Sequence, residues 1–384
     1  MINYKLLVVS ECVGEGLFGV SEVVMDLLNR MPDKGISVHV IAGRVEQVPS
    51  NLANSVSKSP LLLSETTKFK WHPRQKSYIK KVAQSFGAEL IHIHGVFSPI
   101  QLSAIKAASE LKIPVIVSYH GMLEPWLWMQ KGAVYYWMKR VYWGLLIKPV
   151  MKRVDFVHAI TDQESETLEC EFPRVPQIKI SNAIDLSEFS SNQMEPDVDR
   201  YLLFIGRLHP KKGVDLLIEA FKKSVVGNVR LVIAGPDFDV DYTARLKALV
   251  ENIGLSERTS FVGSVHGEQK SELLQKAWCT VIPSYSEAVG LVNLESAASF
   301  TPTITTTMTG LSDWQEGGGL LVEPELEPLT SAIVTACNWS QDKRMLMGKR
   351  ARSFVEERYS WDVIGEQWVE AYKMIAESRE GAHE

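Results

Sequence analysis

Short apolar runs rich in β-branched residues alternate with amphipathic helical patterns along nearly all of the 384 residues. The runs are continuously apolar, which is typical of parallel strands that helices cover on both faces. Helical patterns lie between them at 20–31, 76–86 and 99–111. This order predicts an α/β fold built on doubly wound parallel sheets. In the first half the predicted strands are Lys5–Val9, Ser37–Ala42, Leu90–His94, Pro114–Tyr119, Phe156–Thr161 and Gln177–Ser181.

A serine-rich and acidic stretch at 183–200 interrupts this order, after which strands and helices alternate again. We therefore predict two domains of similar size, 1–185 and 201–359, joined by a linker at 186–200. A last helix within 360–384 has an apolar stripe, which must pack either on the second domain or back on the first. In the second domain the predicted strands are Tyr201–Ile205, Val229–Ala234, Ser260–Val262, Thr280–Pro283 and Thr303–Thr306, and helices are predicted from Val214 and around Tyr242.

Charge and cysteine content exclude several classes of protein. The chain has 41 Lys and Arg against 46 Asp and Glu, a net charge of −5, which argues against nucleic acid as a partner. The four cysteines are far apart in the sequence, so we expect reduced thiols in a cytoplasmic protein. The first residues lack the pattern of a secretory signal, and no run of about 18 apolar residues predicts a transmembrane helix.

The segment 281–297 joins a short strand to a helix that is predicted to begin near Gly290. Free N–H groups and the dipole at a helix start favour an anion, and a glycine lets a phosphate approach the backbone closely. Glu287 precedes this helix and Glu295 lies eight residues further on. Their carboxylates could accept hydrogen bonds from sugar or ribose hydroxyls. Taken singly, Glu287 could also only stabilise the helix dipole, and Glu295 could lie on a solvated face.

A second candidate segment, 204–221, places Arg207 and Lys212 between a strand and a helix. Both side chains are therefore expected at the carboxyl edge of a sheet, where ligands of open α/β sheets bind. A guanidinium and an ammonium group there could neutralise a diphosphate, although cations in loops are often only solvated.

Two weaker signals lie in the first domain. The glycine-rich sequence GEGLFG at 14–19 follows the first strand and precedes a helix, which is only loosely similar to a dinucleotide-binding loop. His120 directly follows a strand and would face a ligand only if the topology places it there; a structural histidine is the commoner outcome. His92 and His94 lie two apart on one strand, but without an evident third ligand we predict no metal site.

Together these segments resemble the family 4 glycosyltransferases of the GT-B fold, in which two Rossmann-like domains face each other across a cleft. The resemblance covers essentially the whole chain, and no single motif carries it. The matching stretches are GEGLFG at 14–19, SYHGMLEP at 118–125, SNAID at 181–185, GRLHPKKGVDLLIEAF at 206–221, FVGSV at 261–265 and SEAVGLVNLESAA at 286–298.

The resemblance implies that 1–185, with the helix of 360–384 packed back on it, binds the acceptor, and that 201–359 binds a nucleotide-sugar donor. It implies catalytic roles for His120, Glu287, Arg207 and Lys212, with the last two gripping the donor diphosphate. Glu295 would hold the ribose hydroxyls, and Asn182 would lie near the cleft floor. The implied donor-contacting residues are Gly16, Gly19, Arg207, Lys212, Val262, Glu287, Val289, Gly290, Leu291, Val292 and Glu295.

Two positions depart from the family pattern. The usual adjacent glycines of the first loop are spread over Gly14, Gly16 and Gly19, and Val289 replaces the usual aromatic residue before the helix glycine. Because of these departures, the shape of the first loop and the sugar that is accepted could differ from those of the family.

The implied function is transfer of a hexose from a nucleotide sugar, with UDP as the expected nucleotide, to a saccharide or polyprenyl-linked acceptor in surface polysaccharide synthesis. The implied stereochemistry is retention, and we expect no cofactor or metal requirement, since two side-chain cations can neutralise the diphosphate. A UDP-sugar epimerase of the same fold and a non-catalytic sugar-binding protein remain alternatives. A nicotinamide-dependent oxidoreductase is disfavoured, because Gly43-Arg44 follows the second strand where a ribose-binding acid is expected.

Residues 122–153 combine seven aromatic side chains with six cations and a single acidic residue. Aromatic rings and basic side chains both suit the headgroup region of a membrane, so we expect peripheral contact with an anionic membrane, at the inner face of the plasma membrane. The alternative is a core helix with an aromatic pocket for the acceptor. The aromatic residues are Trp126, Trp128, Tyr135, Tyr136, Trp137, Tyr142 and Trp143, and the cations are Lys131, Lys139, Arg140, Lys148, Lys152 and Arg153.

Overall fold

The structure is a computed structural model that describes residues 4–14, 19–60, 72–123, 128, 132–287, 289–317 and 319–378. The chain divides into two compact units. The first comprises the residues up to Ser181 together with those from Ile364 onward, and the second is Asn182–Val363.

The first unit contains a seven-stranded parallel sheet in the order β3-β2-β1-β4-β5-β6-β7. The strands are β1 (Tyr4–Val13), β2 (Ile36–Val45), β3 (Val56–Lys58), β4 (Leu90–His94), β5 (Val115–Ser118), β6 (Phe156–Ala159) and β7 (Gln177–Lys179). The helices are α1 (Val20–Arg30), α2 (Gln75–Phe86), α3 (Pro99–Leu111), α4 (Ala133–Tyr142), α5 (Lys148–Met151) and α6 (Asp162–Glu171), with 3₁₀ turns at Pro32–Lys34 and Ala53–Ser55 and a π-helical turn at Trp143–Ile147.

Strand β4 and the middle of β1 are buried, as expected for parallel strands that helices cover on both faces. Every residue of β4 is buried, and in β1 the run 6–9 is 1% exposed or less. Leu7 pairs in register with Ile91 across β1 and β4. Removing such apolar runs from water contributes about 25 cal/mol per Å² of apolar surface. Strand β4 also buries two histidines, His92 and His94.

The second unit contains a six-stranded parallel sheet in the order β10-β9-β8-β11-β12-β13. Its strands are β8 (Tyr201–Ile205), β9 (Arg230–Ala234), β10 (Thr259–Gly263), β11 (Cys279–Ile282), β12 (Thr303–Thr306) and β13 (Leu320–Val322). Its helices are α7 (Val214–Ser224), α8 (Val240–Asn252), α9 (Gly267–Lys276), α10 (Leu291–Ala298), α11 (Leu326–Cys337) and α12 (Gln341–Tyr359), with 3₁₀ turns at Leu186–Glu188, Pro210–Lys212, Thr307–Thr309 and Trp314–Gly317.

The stretch predicted as a linker, 186–200, belongs to the second unit and makes hydrogen bonds with the rest of it. The backbone N–H of Asp197 donates to the carbonyl of Lys276 at 2.9 Å, and Nε2 of Gln193 donates to the carbonyl of Met345 at 2.8 Å. The chain from 189 to 200 therefore lies along the second unit without a helix or strand of its own.

The last helix, α13 (Trp361–Glu377), uses its apolar stripe against the first unit. The indole of Trp368 lies 4.6 Å from the ring of His158, and the hydroxyl of Tyr372 is 2.8 Å from Nδ1 of His92. Both aromatic side chains are buried, at 4% and 0% exposure. Of the two placements that the sequence left open, the helix takes the one on the first unit.

Candidate functional site

The second sheet reverses its strand order between β8 and β11, which are neighbours in space although far apart in the sequence. Loops that leave two such strands run in opposite directions, and the gap between them at the carboxyl edge is where open α/β sheets bind ligands. The loop after β8 contains Arg207 and Lys212, and the loop after β11 contains Glu287. Three of the residues implicated by the sequence therefore flank this point.

The two loops are held against each other by backbone contacts. The N–H of Tyr285 donates to the carbonyl of Lys211 at 2.9 Å. Gly213 has a φ of +64°, and a Cβ there would lie 2.2 Å from the carbonyl oxygen of Pro283. Only glycine satisfies both the left-handed conformation and the close approach, so this glycine fixes how near the two loops can lie.

Lys212 and Glu287 form an ion pair across these loops. Their side chains are only 18% and 13% exposed, and Oγ of Ser284 also donates to Oε1 of Glu287 at 3.1 Å. Burial raises the pKa of the Glu287 carboxyl, but the nearby ammonium groups of Lys212 and Lys211 outweigh it, so the pKa lies below its ordinary value. At neutral pH the carboxylate is therefore charged, and the Lys212 ammonium keeps further N–H donors for another acceptor.

Helix α10 begins directly beside this pair. Gly290 is its N-cap residue, with Val289 buried before it, and the first N–H groups of the helix, from Leu291 and Val292, have no partner within the helix. A Cβ at Gly290 would lie 2.7 Å from Nδ2 of Asn293, so the backbone at this point can carry no larger residue without a shift. A helix start next to an ammonium group is suited to a phosphate.

Arg207 lies on the same loop as Lys212, but its side chain is exposed, and its guanidinium packs 4.8 Å from the centre of the Phe238 ring. The backbone around it is tightly placed, since a Cβ at Gly235 would come within 1.8 Å of the carbonyl oxygen of Gly206. Arg207 is therefore anchored at its backbone, while its charged group lies at the surface of the carboxyl edge.

Glu295 lies within α10, eight residues after Glu287, and forms an ion pair with Lys270 of α9 at 2.7 Å. The sequence gives no indication of this partner, because Lys270 is 25 residues away on another helix. Val262, on the edge strand β10, is 40% exposed.

In the first unit the structure describes only part of the predicted site. Gly16 lies outside the described residues. Gly19 is the N-cap residue of α1, with a φ of +74°. A Cβ at Gly14 would lie 1.8 Å from the carbonyl oxygen of Glu46, so the loop after β1 passes directly against the chain that follows β2. The spread glycines thus include positions at which the backbone conformation requires glycine.

His120 follows β5 with a φ of +54° and is paired with a second histidine, His94, at 2.9 Å between Nε2 and Nδ1. The rings are stacked with their centres 5.1 Å apart. Burial lowers the pKa of His120 to about 3, helped by the charge of His158. His120 is therefore a neutral imidazole at physiological pH, which could take part in hydrogen bonding but not supply a permanent charge.

A chain of hydrogen bonds runs beneath this pair, from α13 into the sheet. Nε2 of His158 lies 2.8 Å from the carbonyl of Ile180, which can only accept, so Nδ1 of His158 must accept from Ser118 at 2.6 Å. Ser118 in turn accepts from Nε2 of His92 at 2.6 Å, and Tyr372 donates to Nδ1 of His92 at 2.8 Å. Burial lowers the pKa of both His92 and His158, so both rings are neutral at physiological pH, and in that state the direction of every bond is fixed.

These histidines should make the first unit sensitive to acid. Burial lowers the pKa of His158 to about 4, below the value near 6.5 expected in the unfolded chain. The unfolded state then binds more protons below pH 6.5, so stability is complete above that pH and is lost as the pH falls. We expect His158 alone to contribute a loss of about 2 kcal/mol between pH 7 and pH 5. Denaturant unfolding at both pH values should show a smaller loss for His158→Gln than for wild type, while His266→Gln, at an exposed position, should retain the full loss.

In the segment 122–153, the residues that are exposed are not all those predicted to form the membrane surface. Trp128 and Trp143 are buried, at 5% and 3% exposure, and belong to the core of the first unit. The prediction that these two rings contact a membrane is therefore wrong. Lys139 also turns inward and lies 4.4 Å above the ring of Phe97. The exposed face is instead largely aliphatic. It consists of Val134, Trp137, Met138, Val141, Leu145 and Leu146, which are 55–85% exposed. Trp126 and Lys131 lie outside the described residues.

Among the described residues no group of three or more His, Cys, Asp or Glu side chains is placed to hold a metal ion. Asp237, Asp239 and Asp241 follow β9 at alternate positions, but Oδ1 of Asp239 accepts from the N–H of Tyr242 and caps α8. No helix in the described part of the chain is long and apolar enough to cross a membrane.

Comparison with known families gives two consecutive matches. The model described as Glycosyltransferase Family 4 matches residues 19–188, and the model described as Glycosyl transferases group 1 matches residues 187–354. Between them they cover most of both units.

Individual relatives match over shorter stretches. An uncharacterized glycosyltransferase of Methanocaldococcus jannaschii is 34% identical over 191 residues, which are 47% of this chain and 46% of the relative. The alpha-monoglucosyldiacylglycerol synthase of Streptococcus pneumoniae is 27% identical over 248 residues, 58% of this chain and 53% of the relative. The chain thus spans about half the length of the curated relatives it matches.

Among solved structures, Anabaena Alr3699/HepE in complex with UDP and glucose matches over 97% of this chain and 100% of that chain, with a TM-score of 0.71. The sequence identity is 17%, so this likeness concerns the fold alone. It confirms the predicted fold class.

Proposed function

Since the chain belongs to the family 4 glycosyltransferases of the GT-B fold, we propose that it transfers a hexose from a nucleotide sugar to a saccharide or lipid-linked acceptor. The donor is a UDP-sugar, a choice supported by the UDP bound in the structurally similar Anabaena protein. The acceptor belongs to surface polysaccharide synthesis, and the reaction takes place in the cytoplasm.

The observation that carries this proposal is the ion pair of Lys212 and Glu287 beside the start of α10, at the point where the strand order of the second sheet reverses. Nucleotide-sugar transfer needs positive charge for a diphosphate and an acceptor group for sugar hydroxyls within a short distance of each other. Lys212 and the N–H groups of Leu291 and Val292 supply the first, and Glu287 supplies the second.

In the proposed reaction the bond between the anomeric carbon and the diphosphate oxygen breaks, and a bond from the acceptor oxygen to the same carbon forms. The sugar gains oxocarbenium character while negative charge develops on the leaving UDP. The charge is stabilised by Lys212, Arg207 and the start of α10. These groups supply the positive charge that other enzymes take from a metal ion.

Retention requires that the acceptor oxygen approach from the face that the diphosphate leaves. A phosphate oxygen of the leaving group is then the nearest base and takes the proton of the acceptor hydroxyl. Glu287, already charged and bonded to Lys212, orients the sugar through its hydroxyls.

The experiment that tests this function combines a donor screen with product analysis. Thermal shifts with UDP-, GDP- and ADP-sugars should single out the UDP series, because at equal concentration the ligand with the lowest dissociation constant stabilises the folded state most. The product formed with that donor should show a retained anomeric configuration by NMR. An inverted product would contradict the proposed stereochemistry, and UDP release with a sugar epimer but no transfer would identify an epimerase instead.

We propose further that the exposed aliphatic face of α4 and the turn after it contacts an anionic membrane. Leu145 and Leu146 are 71% and 55% exposed, and Arg140, Lys152 and Arg153 are exposed on the same segment. An apolar face flanked by cations is suited to the headgroup boundary of anionic lipids. One relative is a synthase of a diacylglycerol glycolipid, which supports a lipid-linked acceptor.

Pelleting with phosphatidylglycerol vesicles at about 0.1 M salt tests this contact. Each basic residue near an anionic surface contributes about 1 kcal/mol, so Arg140→Glu with Lys152→Glu should lower binding at least tenfold. Lys222→Glu with Lys349→Glu changes the net charge equally at exposed positions of the second unit and should leave binding nearly unchanged. Equal binding by both double variants, or no pelleting of wild type, would contradict membrane contact.

A further inference from the structure

The ammonium group of Lys139, on α4, lies beside two aromatic rings of the first unit. Its Nζ is 4.4 Å from the centre of the Phe97 ring and 4.8 Å from that of Trp128. The side chain is half-buried, and it has no ion-pair partner in the part of the chain that the structure describes. Aromatic rings compensate a desolvated cation only in part, so the ammonium group can still form a charge-assisted hydrogen bond to an anion.

A second lysine of the same segment, Lys148, has a different environment. Its ammonium group lies 6.0 Å from the centre of the Phe172 ring, but it is also 2.8 Å from Oε2 of Glu171. That carboxylate oxygen also accepts from Nε1 of Trp143. Burial lowers the pKa of Lys139, and no carboxylate raises it again. Among the described residues, Lys139 therefore lacks the counter-ion that Lys148 has, although it is partly removed from water.

Lys139 lies near a point of the first sheet where ligands are expected to bind. The strand order of this sheet reverses between β1 and β4, and Phe97 belongs to the loop that follows β4. Open α/β sheets bind ligands at the carboxyl edge beside such a reversal. The hydroxyl of Tyr142 donates to the carbonyl of Phe97 at 3.3 Å, which attaches the end of α4 to this loop. Arg140 is exposed and lies 5.8 Å from the centre of the Trp128 ring, so it adds a second positive charge beside the same indole.

The same helix carries the exposed aliphatic face that is proposed above to contact a membrane. Met138 and Val141 of that face are 60% and 55% exposed, whereas Lys139 turns toward the body of the unit. An α-helix with its side chains is about 10–12 Å across, so the ammonium group is separated from the aliphatic face by about that width. The phosphate of a lipid-linked acceptor, whose tail lies in the bilayer, would then be within reach of Lys139.

We propose that Lys139, with the rings of Phe97 and Trp128 beside it, binds the phosphate group of a lipid-linked acceptor while the aliphatic face of α4 contacts the bilayer that holds the lipid tail. This inference rests on the proposed function, and it names the charged group by which the acceptor is recognised. The anion belongs to the acceptor rather than to a surrounding lipid headgroup, because Lys139 faces the unit, whereas Lys152 and Arg153 are exposed.

The test measures the dissociation constant of geranyl diphosphate, a short and soluble isoprenoid diphosphate, by calorimetry with excess UDP present to occupy the donor site. A hydrogen bond between charged groups corresponds to about 10–100-fold in affinity, so Lys139→Met should weaken binding by about that factor. Lys139→Arg keeps the charge and should retain most of the affinity. Lys152→Met, at an exposed position of the same segment, should change the affinity less than about twofold. Geraniol, which has no phosphate, should not distinguish wild type from Lys139→Met.

Pelleting with phosphatidylglycerol vesicles separates the acceptor phosphate from lipid headgroups. Lys152→Met should lower vesicle binding about fivefold, since each basic residue near an anionic surface contributes about 1 kcal/mol, and Lys139→Met should lower it less than about twofold. A UDP-induced thermal shift equal to that of wild type would show that Lys139→Met is folded.

Three results would overturn the inference while leaving the donor site intact. They are no binding of geranyl diphosphate by wild type, equal affinity of wild type and Lys139→Met for it, and a loss by Lys139→Met of vesicle binding alone. If UDP produced no thermal shift in wild type, the proposed function would fail, and the acceptor role of Lys139 would fail with it.

Discussion

Lys212→Ala is expected to lower the turnover number about 10²–10³-fold, the effect found when one preorganised group that stabilises developing charge is removed. In this chain the substitution has two consequences. The leaving diphosphate loses an ammonium group, and the Glu287 carboxylate, only 13% exposed, loses its ion-pair partner. The pKa of Glu287 should then rise, since the ammonium groups of Lys212 and Lys211 are what hold it below the ordinary value against the effect of burial.

Release of UDP from the donor, followed at saturating donor concentration, measures this loss. Lys223→Ala provides the matched control, because Lys223 also pairs with a glutamate in the second unit, but its side chain is 48% exposed and that of Glu327 is 71% exposed. The control should keep near-normal turnover. If Lys212→Ala did so as well, Lys212 would have no part in stabilising the leaving group.

Arg344→Met is expected to lower the unfolding free energy of the second unit by about 3–5 kcal/mol, since it leaves several buried acceptors without a donor. The Arg344 side chain is fully buried in α12 and donates to the carbonyls of Ala277, Trp278 and Phe300 at 2.6–3.1 Å. It also donates to Oγ1 of Thr301 at 2.9 Å. Burial lowers its pKa to about 10, so the guanidinium stays charged at neutral pH.

Denaturant unfolding of Arg344→Met and of Arg350→Met would measure the difference. Arg350 lies on the same helix but is exposed, and its substitution should change stability by less than about 0.5 kcal/mol. Similar stabilities for the two variants would mean that the buried hydrogen bonds of Arg344 make no net contribution.

The sequence predicted the fold well where apolar runs are long enough to show a period. The predicted bounds of Leu90–His94, Tyr201–Ile205 and Thr303–Thr306 agree with the structure. The short strands Val56–Lys58 and Leu320–Val322 were not predicted, because three residues carry no periodic signal and these segments become strands only by pairing with a neighbour.

Candidate site residues were predictable where position along the chain determines position in space. Arg207 and Glu287 lie in the loops that follow β8 and β11, and parallel strands bring their carboxyl ends to one edge, so their proximity to that edge follows from the strand order. The ion-pair partners of the candidate site residues were not predictable from the sequence. Nothing in the sequence pairs Lys270 with Glu295, since that contact depends on how two helices pack.

In the aromatic segment 122–153, the sequence also did not determine which side chains are exposed. Its composition predicted a membrane surface, but composition does not distinguish the buried from the exposed face of a helix that is apolar almost all round. Trp128 and Trp143 fill the core, whereas Leu145 and Leu146 are exposed. The helix was therefore predictable, and the identity of its exposed residues was not.

A crystal structure of the protein with UDP would show whether Lys212 and the start of α10 hold the diphosphate. Diphosphate oxygens are expected within about 3 Å of Nζ of Lys212 and of the first N–H groups of α10. Density for UDP at any other place on the chain, with Lys212 still bound only to Glu287, would contradict this expectation.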